Sequence, residues 1–494
     1  MRVPRFHHPG RPTPKKTVFP IASTATLRQI KDLPGPRALP LVGNAFQVTL
    51  ASVHQDFERW AREFGTLYQI KMGRTRVLVI ADHDLLAAVL RDRPEGFRRS
   101  PRITEIATEL GLPQGLSTSE GEDWQRQRRM VMASFAPSQV RAYFPLLRKV
   151  TLRLQARWQK AARASESINL QADLMRFTVD AIAGLAFGKD INTLESGEDV
   201  IQRHLDKVLP AVAWRVVSLV PYWRYFKLPA DRALERSVAV INATLLDFVA
   251  QARQRLTDDP ALRDKPGNLL EAMLVAADQP DSGLGDRQVV GNVLTMLLAG
   301  EDTTANTLAW MIHLLHRNRK ALQRVQQEAR ALAPDPASFS MELMDQLAFL
   351  DACISETMRL KPVAPLMLLQ ALRDTTVGDV AVPKATLIMG VLRHDSVSEG
   401  YFQNPMAFEP ERWLPEAPQA LSPAAKRAAI PFGSGPRMCP GRYLALLEMK
   451  MAMAMLLARF DIESVDTPDG KEAQERMTVT MAPVGLQMRL RERR

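Results

Sequence analysis

The stretch Phe432-Gly433-Ser434-Gly435-Pro436-Arg437-Met438-Cys439-Pro440-Gly441 governs how the rest of the chain is read. It holds one of only two cysteines, the other being Cys353. Gly433, Gly435 and Gly441 allow tight backbone bends and close approach to a flat cofactor. Arg437 supplies a fixed, planar cation able to pair with an anionic group. Beyond Gly441, Tyr443-Leu444-Ala445-Leu446-Leu447-Glu448-Met449-Lys450 reads as a helix. Its N-terminal dipole end falls beside the sulfur and favours the thiolate. An inert buried cysteine in a glycine-rich turn is the plain alternative. A single presented thiolate instead suits a metal that brings its other ligands with it, and haem iron is that metal.

Working outward, the long apolar segment Val289–Leu315 contains Ala299-Gly300-Glu301-Asp302-Thr303-Thr304. Threonine hydroxyls bond back to helical carbonyls and glycine loosens the ladder, so a local distortion with room for a ligand or water is expected. Helical spacing puts Thr295, Met296, Ala299 and Thr303 on one face, with small Ala299 and Gly300 leaving space above the iron. An ordinary helix with a polar patch at Glu301 and Asp302 is the alternative. Glu356 and Arg359 share a helix face and can pair, and Pro410-Glu411-Arg412-Trp413 follows them. Trp124 and Arg128, four apart, also share a face. Arg98, Arg99 and Arg102 form a basic cluster.

These landmarks, in this order from about Leu33 to Leu490, resemble the cytochrome P-450 superfamily. The resemblance implies a mainly α fold, a large helical bundle with a small discontinuous β-sheet region. It implies haem b with an axial thiolate from Cys439, in a loop that includes Phe432, Gly433 and Arg437. Asp302 and Thr303 become the acid and hydroxyl of a proton relay. Glu356, Arg359 and Arg412 become a buried charged triad behind the cysteine loop. Trp124 and Arg128 would offer an indole N–H and a guanidinium to a haem propionate, with one of Arg98, Arg99 and Arg102 near the second. Met296, Ala299, Val363, Ala364, Leu366 and Met481 would line the substrate space. The implied activity is that of a haem-thiolate monooxygenase, inserting one atom of dioxygen into a lipophilic small molecule. One departure stands out: Pro365-Leu366-Met367-Leu368-Leu369-Gln370 carries no cation where many members place a propionate-binding arginine. Two rivals remain open, a thiolate-haem enzyme driven by peroxide and a non-catalytic haem sensor or carrier.

The rest of the chain bounds the reading. Its 494 residues would suggest about three domains by length alone, yet no linker or repeat divides them. The expectation is therefore a basic, Pro-rich, disordered extension at 1–32 and a single catalytic domain at 33–494. Two cysteines cannot build a disulfide framework or a four-cysteine zinc site. His313 and His316 lack a third ligand nearby, and Cys353 reads as core. No run of 18 or more apolar residues suggests a transmembrane anchor. The first 31 residues lack Asp and Glu, which hints at organellar import, but Pro4, Pro9, Pro12 and Pro14 oppose the helix such peptides form. A cytoplasmic, bacterial monomer is expected, with peripheral membrane contact or import left open. The net charge of +11 comes without a nucleic-acid-binding motif. It points to an acidic electron donor, such as a ferredoxin or flavodoxin with its reductase, docking near Arg126 and Arg129.

Periodicity predicts helices over Gln55–Phe64, Trp124–Ser134, Gln139–Lys160, Asp231–Leu256, Asn268–Ala277 and Arg287–Arg317. Strands are expected over Leu67–Lys71 and Arg76–Ile80 around Gly73, and over Thr376–Val382, Thr386–Val391 and Thr478–Leu490. The aromatic stretch Pro210–Phe226 fits a substrate-access lid, a membrane-touching patch or plain core.

Overall fold

The computed structural model describes residues 27–188, 190–196, 200–218 and 220–493. The helices that position the site are α1 (Gly121–Ser134), α2 (Pro137–Arg163), α3 (Leu170–Phe187), α4 (Asp286–Arg317), α5 (Ala348–Leu360) and α6 (Arg442–Arg459). At 1.5 Å per residue, the 32 residues of α4 span roughly 48 Å and form the axis of the bundle. Its most extensive partner is α3. Gly300 permits that contact, because a Cβ there would stand 2.5 Å from Ile182 Cδ1. Helix α3 is apolar on nearly every side, as expected of a helix buried all round. That explains why no one-sided period marks it in the sequence.

The main sheet has five strands: β1 (Leu67–Met72), β2 (Thr75–Ile80), β3 (Phe97–Arg99), β4 (Leu366–Ala371) and β5 (Leu387–Val391), in spatial order β1-β2-β5-β4-β3. Strands β1 and β2 pair antiparallel with Leu67 opposite Ile80. Their turn uses Gly73 at φ 59, a left-handed conformation that costs glycine little. Strand β5 runs parallel to β2 and antiparallel to β4. Val77, Leu78, Val79 and Ile80 are all fully buried, so this strand is covered on both faces and reads as a continuous apolar run.

The expected strand Thr376–Val382 is two strands, Thr375–Val377 and Val380–Val382, folded back at Gly378. Likewise, Thr478–Leu490 divides into β7 (Met481–Pro483), which pairs with β6 (Glu475–Met477), and a last strand, Gln487–Glu492. The last strand joins Phe460–Asp466, a strand the periodicity missed. The N-terminal expectation also needs its boundary moved. Arg28–Gln29 pair in parallel with Val380–Ala381, and Ile30 is buried, so residues 28–32 belong to the fold. Residues 1–26 lie outside the described residues.

Candidate functional site

The cysteine loop is held from both ends. Cys439 N donates to Phe432 O at 3.0 Å, and the Arg442 guanidinium stands over the Phe432 ring at 5.7 Å. The three glycines do different jobs. At Gly433, with φ 75, an added Cβ would meet nothing within 4 Å, so the loop keeps an open side that a flat group can approach. Gly435, at φ 73, is needed against protein instead: a Cβ would meet Leu90 O at 2.5 Å and Arg91 Cα at 2.8 Å. Gly441 has an ordinary φ of −84 at the N-terminal cap of α6. Its contribution is an N–H bonded to the Cys439 sulfur. The Cys439 side chain is exposed although the protein crowds around it. Desolvation pushes its thiol up, while the Gly441 N–H and the Arg128 charge pull it down.

Beside this loop is a knot of cations. Arg437 Nη2 donates to Ser119 O at 2.7 Å and to the Glu120 carboxylate, and its guanidinium stacks on Trp124 at 4.6 Å. Glu120 also accepts from Arg99 N at 3.0 Å and lies 4.0 Å from Arg93 Nη2. Arg93 is 2% exposed. Burial lowers its guanidinium to about 9, with help from the Arg437 and Arg99 charges. Burial likewise lowers Arg437 to about 10. The Arg93 Nε and Nη2, Arg99 Nε and Arg437 Nε atoms are buried without a hydrogen-bond partner among the described residues.

Arg98 and Arg102 are otherwise engaged. Arg98 donates to Gln370 Oε1 at 2.9 and 2.7 Å. Arg102 reaches the carbonyls of Val216 and Ser218 at 3.1 and 3.0 Å. Arg128 acts electrostatically on Cys439 and Arg437. The structure therefore brings Trp124 together with Arg437, with Arg128 close to the cysteine.

Helix α4 supplies the opposite chemistry. Thr303 Oγ1 donates to Ala299 O at 2.7 Å, and Thr295 and Thr307 make the same backward bond to Gly291 O and Thr303 O. The helix runs unbroken over 286–317, so these backward bonds do not interrupt it. Gly300 does not open space above the iron either; its bare face is filled by Ile182 of α3. Ala299 is exposed inside an otherwise buried helix, as is Ala364 in the stretch after α5, while Met296, Val363, Leu366 and Thr303 are half-buried. Met481 differs from expectation. It is fully buried with its sulfur 3.7 Å from Arg393 Nη1, so it packs into the protein and does not line open space. Asp302 accepts from Asn306 Nδ2 at 2.9 Å and, through its other oxygen, from Thr480 Oγ1. Asn306 also donates to Thr480 Oγ1 at 3.1 Å, tying the turn between β6 and β7 to α4.

The charged triad is assembled. Arg359 Nε and Nη2 bond both oxygens of Glu356 at 2.8 and 2.7 Å, and Arg412 Nε stands 3.2 Å from Glu356 Oε1. Trp413 Nε1 and Glu409 N complete the carboxylate at 2.8 and 3.0 Å. Glu356 and Arg359 are both 0% exposed. Cys353 is buried in the core. His313 bonds Glu472 at 3.3 Å, and no group of metal-binding side chains occurs among the described residues. In the aromatic stretch, Trp223 is buried and bonds Glu109, whereas Val220, Tyr225 and Phe226 are exposed.

A helical bundle with a glycine-rich cysteine loop at the head of a buried helix defines a haem-thiolate protein. The chain belongs to the cytochrome P-450 family, whose pattern matches residues 33–490. It is 25% identical to the steroid 17-alpha-hydroxylase/17,20 lyase of Felis catus, over 96% of this chain and 95% of that one. It is 26% identical to the chloroplastic carotene epsilon-monooxygenase of Arabidopsis thaliana, over 88% of this chain and 81% of that one. The crystal structure of the cytochrome P-450DA heme domain superposes with a TM-score of 0.81 at 23% identity, covering 95% of this chain and 99% of that one. The protein is accordingly a haem-thiolate monooxygenase with a substrate, dioxygen and a redox partner.

The residues present fit that cofactor. Three guanidiniums with unmet donors face one carboxylate, a surplus of two positive charges that matches the two propionates of haem. Sequence reasoning missed Arg93, Glu120, Asn306 and Thr480. Only Asn306 left a usable signal, since an amide four residues after Asp302 on a helix is placed to bond it.

Proposed function

We propose that Cys439 is the axial thiolate and that Asp302 and Thr303 form the proton relay of a monooxygenase acting on a lipophilic small molecule. The sulfur's position carries the ligand assignment: it is exposed within a crowded loop, bonded by the Gly441 N–H, and at the head of α6. Haem bound there supplies oxygen activation, in which dioxygen, two electrons and two protons yield one inserted oxygen atom and one water.

The chain's own residues supply protons and shape. Thr303 Oγ1 gives its hydrogen to Ala299 O, so its lone pairs are left to receive a hydrogen bond from a water and orient it. Asp302 feeds that water after exchanging its bond to Thr480 for one to solvent. Met296, Ala299, Val363, Ala364 and Leu366 present an apolar wall that excludes bulk water from the reacting centre. The relatives named for steroid and carotene chemistry support a lipophilic substrate of similar character. An acidic ferredoxin- or flavodoxin-type donor is favoured by the +11 charge and by exposed Arg129. A monomer in a reducing, cytoplasmic setting accords with two free cysteines. No described helix is long and apolar enough to cross a membrane.

The test is Thr303→Ala. With a substrate found by spin-state shift, the variant should consume donor electrons at near wild-type rate but release more peroxide and less product. Unchanged coupling would reject the relay, and turnover only with added peroxide would reject the dioxygen reading.

A further inference from the structure

Ser117 carries a hydroxyl that its own loop does not use. It lies in the segment before α1, where Thr118 N and Ser119 N both donate to Gly115 O, at 3.0 and 2.9 Å, and close a tight turn. The Thr118 side chain reinforces the turn by donating to Gly115 O at 3.2 Å. On the other flank, Leu116 N donates to Asn292 Oδ1 of α4 at 2.9 Å. The position of Ser117 is therefore fixed by its neighbours. Its own side chain makes one hydrogen bond among the described residues, to Thr295 Oγ1 at 3.3 Å. An O–H···O bond ordinarily closes to about 2.5–3.0 Å, so this one is slack. Thr295 has already given its hydrogen to Gly291 O at 2.9 Å. The hydrogen between the two hydroxyls is then that of Ser117, and lone pairs on both oxygens are left over. Two acceptors stand side by side, short of a donor.

Their place on α4 says what could supply it. Thr295, Met296, Ala299 and Thr303 keep accessible surface between buried runs at 289–294 and 304–315, and Ser117 is half-buried beside the first of them. Thr295, Ala299 and Thr303 follow at a spacing of four, hence on one face of the helix. Thr303 marks the reacting end of that face. Eight residues at 1.5 Å each put Thr295 roughly 12 Å away from it. Between the two ends Met296 and Ala299 are apolar, as are Val363, Ala364 and Leu366 of the proposed wall. In a pocket of mostly apolar lining, a few fixed polar groups decide how the ligand lies.

We propose that Ser117 and Thr295 together receive a hydroxyl group of the substrate, a lipophilic alcohol whose hydroxyl lies roughly 12 Å from the carbon that is oxidised. This rests on the monooxygenase reading of α4 and names the class of molecule on which it acts. A hydroxyl brings the donor that the two oxygens lack, whereas a carbonyl brings only a further acceptor. One binding orientation follows. Turning the molecule end for end would set its hydroxyl against apolar surface and leave it without a partner, at the cost of an unmet polar group.

The test uses the haem-loaded protein and needs neither turnover nor the natural substrate. Imidazoles that ligate ferric haem iron serve as rulers, because the ring fixes one end of the probe. 1-Alkylimidazoles of about six to about twelve carbons, each beside its ω-hydroxy and ω-keto analogues, are titrated by Soret shift into wild type, Ser117→Ala and Thr295→Val. At most lengths the hydroxyl should weaken binding, since it is buried without a partner. At the length that reaches the pair it should instead tighten wild-type binding roughly threefold to tenfold, the scale of one hydrogen bond. Each substitution should return the ratio of hydroxy to plain probe at that length to its value at the others. A ratio that peaks at no length, or a peak that survives both substitutions, would overturn the hydroxyl site. A keto probe gaining as much as the alcohol would overturn the choice of an alcohol. No Soret shift with any probe would remove the haem-thiolate reading itself, and the proposal with it.

Discussion

Arg359 has five N–H donors, and all five are met: two by Glu356 and three by the carbonyls of Ser396, Pro405 and Ala407. That completeness makes the residue a keystone, because losing it strands the Glu356 carboxylate in a dry core. Arg359→Met is expected to cost about 3–5 kcal/mol and to appear as a collapse of haem content per protein. Retention of haem and thermal stability would refute the buried-triad argument. Cys439→Ser tests the ligand directly. The reduced CO complex should lose its thiolate-type spectrum, while the far-UV signature of the fold persists.

Glu448 gives a pH test at the same scale. It sits fully buried on α6, with Oε1 unpartnered, and desolvation raises its carboxyl from 4.5 to about 8. Folded protein therefore keeps a proton that the unfolded chain releases. Stability from this group is full below about pH 4.5 and is lost as pH rises toward 8, by an amount on the order of a few kcal/mol. Glu448→Gln should flatten that decline, read as the change in Tm between pH 6 and pH 9. Equal slopes in wild type and variant would count against the assignment.

Among elements, α4 and the loop before α1 approach each other very closely. A Cβ on Gly291 would stand 2.0 Å from Gln114 O, and one on Gly115 would stand 2.1 Å from Gly291 O. Asn292 fixes the same junction by accepting from Leu116 N at 2.9 Å and donating to Gln127 at 2.7 Å. Gly291→Ala must push the loop away at a cost of about 1–3 kcal/mol. Because Thr295 and Met296 lie one turn further along α4, substrate titrations by spin shift should weaken too. A variant binding substrate as wild type does would show that the loop is free to move.

The same elements explain what was legible in sequence. Helices with one wet face, such as α1 and α2, declare a period of 3.6. Helix α3, buried on most sides, does not. Short strands were found where β-branched residues cluster, as in β1 and β2, but β4 was read only as a cation-poor stretch. Gly378 hides a strand reversal because a single left-handed residue suffices to turn the chain. Within the site, residues carried by a fixed-spacing motif were readable. Arg93, Glu120 and Thr480 were not, since their meaning depends on partners 274, 317 and 178 positions away.

For the whole molecule, 65 basic against 54 acidic residues set the long-range field. Reduction by an acidic donor should slow several-fold between low salt and roughly 0.5 M, as the Debye length falls well below 10 Å. A rate indifferent to salt would leave no role for electrostatic steering in encounter.

The crowd of guanidiniums around Glu120 also concerns the chain before it is ever an enzyme. Without its cofactor, the protein holds like charges together in a desolvated corner, so haem acts as a folding ligand; occupancy at a thousand times its dissociation constant would add about 4 kcal/mol. Removing haem should therefore lower Tm and increase protease sensitivity. In a cell starved of iron or porphyrin, the newly made chain should fall to quality-control proteolysis while its messenger level stays constant. Cofactor supply would then set the protein's abundance by deciding how many molecules survive their own synthesis.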